Sequence, residues 1–152
     1  MMIIICMVIP LNLAKGNIMP PLINENHLAI MTIWQEARGE SLLGKIAVAT
    51  VIRNRMSRKY NSNGSIAGTV LAPYQFSGWN TDDKTRPLST QLDTDNPVVQ
   101  DCQLSWNLSE NVDKFPAVLF HATSIPAPSW AKSDKVKQIA VIGNHVFYTD
   151  ES

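Results

Sequence analysis

A chain of 152 residues, 45% hydrophobic and 17% charged, is long enough to bury a core as one domain without a metal or disulfide framework. Its 13 basic and 13 acidic side chains leave no net charge, which argues against nucleic acid as the main partner, because phosphate binding shows as a basic excess. The 2 cysteines, Cys6 and Cys102, are far apart and match no zinc or redox spacing.

Residues 1–14 are almost wholly apolar. They are too short for a bilayer-spanning helix, which needs about 20 residues, and Pro10 would interrupt one. The length suits a signal-peptide core, but no Lys or Arg precedes it and Lys15 follows it. Three readings stand: an irregular export signal, a segment packed on the domain, or an artefact of the assumed translation start. Residues 16–26, with Pro20-Pro21, read as a linker. The expected division is therefore an apolar segment and linker over 1–26 and one folded domain over 27–152.

Leu28, Met31, Ile33, Trp34 and Ala37 recur at helical spacing, with Asn24 or Asn26 available as a cap. Gly39 is expected to stop this helix in the left-handed conformation. Glu36 sits in the last turn between apolar neighbours. It is either a solvated residue or a carboxyl whose limited hydration raises its pKa and suits it to donating a proton. Ser41 can cap a second helix over 42–58, with Leu43, Ile46, Ala47, Val51 and Ile52 on its apolar face. Arg53, Arg55, Arg58 and Lys59 read as its solvated basic face. The short break between the two helices predicts a helical hairpin with Glu36 at the junction. A loop at 61–64 and a short helix from Ser65 to Leu71, ending before Pro73, follow.

Tyr74-Gln75-Phe76-Ser77-Gly78-Trp79 mixes aromatic rings with amides and hydroxyls. Such a stretch serves either to stack on sugar rings and bond their hydroxyls or to anchor a loop to the core. Residues 81–95 read as a polar surface loop beside the cleft. Asn96-Pro97 is a strong helix start, and Val98, Cys102 and Trp106 form an apolar stripe on a helix reaching about Glu110. From Phe115 the pattern changes to strand: 117–122, a proline-bearing loop over 123–130, then 138–142 and 145–148 joined by the two-residue turn Gly143-Asn144. Helices followed by strands predict a mostly helical α+β domain with a small three-stranded antiparallel sheet near the C-terminus.

The 3 histidines, His27, His121 and His145, offer no metal-ligand spacing such as HExxH, so a zinc peptidase is disfavoured. His121 and His145 fall at strand ends that can line one cleft. No GxSxG elbow is present and Cys102 lies on a buried stripe, so acyl transfer has no candidate nucleophile. A carboxylate on a helix end, an aromatic–amide loop and polar strand tips suit acid-assisted cleavage of a glycosidic bond.

Glu36-Ala37-Arg38-Gly39-Glu40, followed by Gly44-Lys45-Ile46-Ala47-Val48-Ala49 and Asn54-Arg55, resembles the opening motif of the SleB-type cell-wall hydrolases, a family of spore-cortex-lytic enzymes and phage lysins. Gln75-Phe76-Ser77 is similar to its second block. Pro128-Ser129-Trp130-Ala131 with Ile142-Gly143-Asn144-His145-Val146-Phe147-Tyr148 is similar to its closing block. The resemblance covers about Leu28 to Tyr148, with three blocks in order.

It implies a lysozyme-like, lytic-transglycosylase-like helical domain that cuts the MurNAc–GlcNAc bond of peptidoglycan, with Glu36 as the single acid/base. Gln75, Ser77, His121, His145 and Tyr148 are then expected to bind sugar or support Glu36. Phe76 and Trp130 either stack on sugar rings or belong to the core. A two-carboxylate hydrolase needs a second carboxyl about 5–10 Å away, and Glu40, Asp82 and Asp83 are the nearby acids. The lytic transglycosylase route is therefore preferred, with muramidase hydrolysis second and a non-catalytic glycan-binding or virion module third. The expected partner is the peptidoglycan glycan strand, met by a monomer with no cofactor, no metal, no nucleic acid and no stable membrane span. Its place of action is the periplasmic or extracellular wall, or the host cell if the protein is a phage lysin.

Overall fold

The structure, a computed structural model, describes residues 24–84 and 92–152. The apolar segment, most of the linker, Cys6 and part of the polar loop, including Pro87, lie outside the described residues. Helix α1 runs Glu25–Ala37 and α2 Leu42–Arg58; α3 is Ile66–Val70 and α4 Pro97–Leu108. Each starts at a side-chain cap: Asn24, Ser41, Ser65 and Asn96 accept hydrogen bonds from backbone N–H groups that the first helical turn leaves unpaired.

The core forms where α1, α2 and α4 meet. Ala29 and Ile33 of α1, Ala49 and Ile52 of α2, and Cys102 and Trp106 of α4 are buried together. Each large apolar side chain removed from water there contributes about 1.5–3 kcal/mol. The stripe on α4 runs through Val99 rather than the half-buried Val98. Arg53 ties α2 to α4: its guanidinium lies 3.8 Å from the Trp106 ring centre and donates to the Trp106 carbonyl at 2.7 Å.

Two expectations about the hairpin are corrected. Gly39 does not adopt the left-handed conformation, since the described glycines at positive φ are Gly64 and Gly143. The chain turns instead through Arg38, still right-handed helical, and Glu40, whose N–H returns to the Ala37 carbonyl at 3.0 Å. Leu43 is 61% exposed on the open side of the first turn of α2, whereas Gly44 and Lys45 of the same turn are buried.

Strands β1 (Leu119–Ala122), β2 (Val136–Ile142) and β3 (His145–Asp150) form an antiparallel sheet in the order β1-β3-β2. The β2–β3 turn is the expected two-residue Gly143-Asn144, with Gly143 at φ 56°. Ala117 and Val118 precede β1 and are fully buried. A second cluster, with Ala37, Val48, Val51, Ala117 and Phe147, packs the sheet against the helical hairpin. Asn54 of α2 fastens the chain just before β1, donating to the Phe115 and Ala117 carbonyls at 2.8 Å each. The result is the mostly helical α+β domain expected. No described helix is long and apolar enough to cross a membrane.

Candidate active site

The end of α1, the turn at Ser77–Trp79 and the sheet enclose a cleft of about 480 Å³. Thr32, Gln35 and Glu36 occupy one face of α1 at spacings of three and four residues, and two of them hold that turn. The Trp79 indole N–H donates to Thr32 Oγ1 at 2.9 Å, and Gln35 Nε2 donates to the Gly78 carbonyl at 3.0 Å.

Glu36 lines this cleft and is partly buried. Burial pushes its carboxyl up to about 7. The cation Arg55 opposes that rise most strongly, the Asp83 charge adds to it, and Arg38 and the donated Gly78 N–H act against it. Burial therefore favours the protonated acid, while groups are in place that favour its ionised form.

Arg55 corrects the reading of a solvated basic face. It is 4% exposed, and its Nε donates to the Val118 carbonyl at 2.6 Å while its guanidinium sits 4.9 Å from the Phe76 ring centre. Burial lowers its pKa to about 10, so it stays cationic at neutral pH. Arg53 is half-buried as well; Arg58 and Lys59 are the exposed members of the cluster. A signal for this was present: Val48, Val51, Ile52 and Arg55 follow one helical stripe, whose other members are core.

His121 and His145 line the same cleft as Glu36. His121 Nδ1 lies 2.8 Å from the Ala122 carbonyl, which can only accept, so Nδ1 carries the proton. Its Nε2 lies 2.9 Å from the Tyr148 hydroxyl, which can donate to it or accept from it. Tyr148 is 6% exposed and supports His121 from behind. Trp130 lines the cleft and meets the Tyr148 and His121 rings edge-on at 5.2 and 6.0 Å. Burial lowers the pKa of His145, and its Nδ1 stands 3.9 Å from Glu40 Oε1.

Ser77 is exposed in the cleft. Gln75 is not there: it lines a neighbouring groove and accepts from Arg55 at 3.3 Å and Asn61 at 3.1 Å. Phe76 is corrected from a sugar-stacking candidate to a core residue, 2% exposed among the α1–α4 side chains, so its ring face is closed to a ligand. Of the three acids named beside Glu36, Asp83 alone lines the cleft. Glu40 accepts from the Asn144 N–H at 3.1 Å, and Asp82 is exposed. Gln35, Arg38 and Arg55 are the neighbours of Glu36 that the sequence reading left without a role.

A family model described as Cell Wall Hydrolase matches residues 39–148. The matched range begins three residues after Glu36. Two solved structures share the fold. The catalytic domain of the germination-specific lytic transglycosylase SleB from Bacillus anthracis superposes with a TM-score of 0.62 at 22% identity, covering 85% of this chain and 98% of that one. The catalytic domain of the Bacillus cereus SleB protein superposes with a TM-score of 0.59 at 22% identity, covering 88% and 98%. No curated protein matches by sequence.

Proposed function

The chain belongs to the SleB-type cell wall hydrolase family, enzymes acting on peptidoglycan, and on that premise we propose that it cuts the MurNAc–GlcNAc β-1,4 bond as a lytic transglycosylase with Glu36 as its single acid/base. The observation that carries this reading is the Glu36 carboxyl in the cleft, pushed up to about 7 by burial, with Arg55 and the Gly78 N–H beside it. Protonated Glu36 gives its proton to the bridging oxygen as the bond to MurNAc C1 breaks. The MurNAc 6-hydroxyl closes on C1, and the now ionised Glu36 takes the hydroxyl proton, which regenerates the acid. Arg55 and the Gly78 N–H stabilise the ionised carboxylate between the two proton transfers. Trp130 offers its ring to sugar, Ser77 and His145 offer polar contacts along the cleft, and His121, whose two nitrogens are engaged by the Ala122 carbonyl and the Tyr148 hydroxyl, supports that wall.

Asp83 supports a second reading. A second carboxylate on the same cleft is what two-carboxylate hydrolysis requires, with water in place of the 6-hydroxyl. Mass spectrometry of the released sugars separates the two routes, since the anhydro product is one water lighter than the reducing one. Glu36→Gln is expected to fold and to lose clearing of purified sacculi by at least about a hundredfold. Retained clearing overturns the role given to Glu36. Wild-type protein that co-sediments with sacculi and releases no soluble fragments would instead mark a binding module.

A further inference from the structure

Beside the Glu36 cleft lies a second groove, of about 440 Å³, and the two share Phe120 and Trp130 as a common wall. Both volumes fall in the range of small-ligand sites, about 300–1,000 Å³. The fold maintains the rim of this groove at a conformational cost. Asn61 and Tyr74, which line it, are two of the four described non-glycine residues at positive φ, at 46° and 61°. Such backbone persists where surrounding structure imposes it, and it gathers at ligand sites. Tyr74 is 90% exposed, so its ring contributes little to the core. Gln75 Oε1 receives both Arg55 and Asn61, which fixes the orientation of its amide.

The charges are unevenly engaged. Asp150, in the groove, already accepts from the Tyr60 hydroxyl at 2.7 Å and the Ser152 N–H at 2.9 Å. Lys135 is exposed at the groove, and no described carboxylate pairs with its ammonium. A cation adds little to the binding of neutral sugar rings. The peptide arms that branch from the muramyl sugars of peptidoglycan, by contrast, carry free carboxylates and a row of amides.

We propose that this groove holds the peptide arm of the sugar seated in the Glu36 cleft. Lys135 meets an arm carboxylate, Asn61 and Gln75 meet its amides, and Tyr74 and Trp130 cover its apolar side chains. The proposal rests on the reading of the adjoining cleft as a peptidoglycan site.

Two substrates test it: uncrosslinked glycan strands bearing their peptides, and the same strands stripped of peptide by an amidase. Lys135→Glu and Tyr74→Ala are expected to lower kcat/KM about three- to tenfold on the peptide-bearing strands alone, with the Lys135 effect fading at high salt. Equal losses on both substrates would make the groove a sugar subsite and overturn the proposal, as would no loss on either. Binding of soluble muropeptides, with and without arms, to the Glu36→Gln protein gives a readout independent of turnover. There Lys135→Glu must weaken only the arm-bearing ligand, even if the cleft proves to cut neither strand.

Discussion

The side-chain amide of Gln35 donates to the backbone carbonyl of Gly78 at 3.0 Å, one residue along α1 from the carboxylate that the Gly78 N–H approaches. One residue pair on the helix thus grips both ends of one residue in the turn. A Cβ added at Gly78 would collide with the Gln35 side chain. Gly78→Ala is therefore expected to move the turn away from α1 and to lower kcat by about tenfold or more, since misplacements on the order of 1 Å can cost a hundredfold. Comparing its melting temperature and kcat with wild type checks this: a large fall in kcat with a small fall in stability is the expected pattern.

The carboxyl of Glu36, held up to about 7 by burial, sets two pH dependences. In the general-acid role proposed for it the carboxyl must be protonated, so kcat/KM is expected to fall as pH rises through about 7. Its folded pKa lies above the unfolded value of 4.5, so the folded state binds the extra proton between them and loses stability as pH rises across that window. Glu36→Gln should accordingly be more stable than wild type at pH 8, by about 1–3 kcal/mol, and nearly equal to it at pH 4. Denaturant unfolding at the two pH values measures this, and an unchanged difference contradicts it.

Arg55 is the strongest influence holding the Glu36 carboxyl down against burial. Arg55→Met is expected to shift the alkaline limb of the activity profile to higher pH. The same change leaves the Val118 carbonyl without its buried donor and should cost about 1–3 kcal/mol of stability. A profile that stays in place while stability falls would reduce Arg55 to a purely structural tie.

Gly143 turns the β2–β3 hairpin at φ 56°, and a Cβ there would strike Glu40 Oε2, the atom that accepts the Asn144 N–H. Gly143→Ala should cost about 1–2 kcal/mol from the left-handed backbone alone, plus the displaced Glu40 contact. The backbone part alone should lower the melting temperature by about 2–8 °C, at roughly 2–4 °C per kcal/mol for a domain of this size. Glu40→Ala should relieve the contact part and leave the backbone part, which a double-mutant cycle separates.

Read on its own, the amino-acid sequence determined the elements and their order, because the signals involved act within a few residues. Ser41 caps α2, Pro97 opens α4, and Gly143-Asn144 turns the hairpin from which the antiparallel sheet follows. It also marked Glu36, a carboxyl in an apolar last turn, as the residue to watch. Tertiary structure alone decided which polar side chains face which space, since that depends on what packs over them from distant parts of the chain. Val118, 63 residues away, accepts the Arg55 guanidinium and removes it from the solvated face its composition suggested. The helical core and the Arg55 guanidinium close Phe76 off, and Gln75 turns into the neighbouring groove, although Ser77 two positions on remains in the cleft. Local pattern sets where a side chain starts, whereas desolvation and charge, which set its chemistry, come from neighbours that only folding supplies.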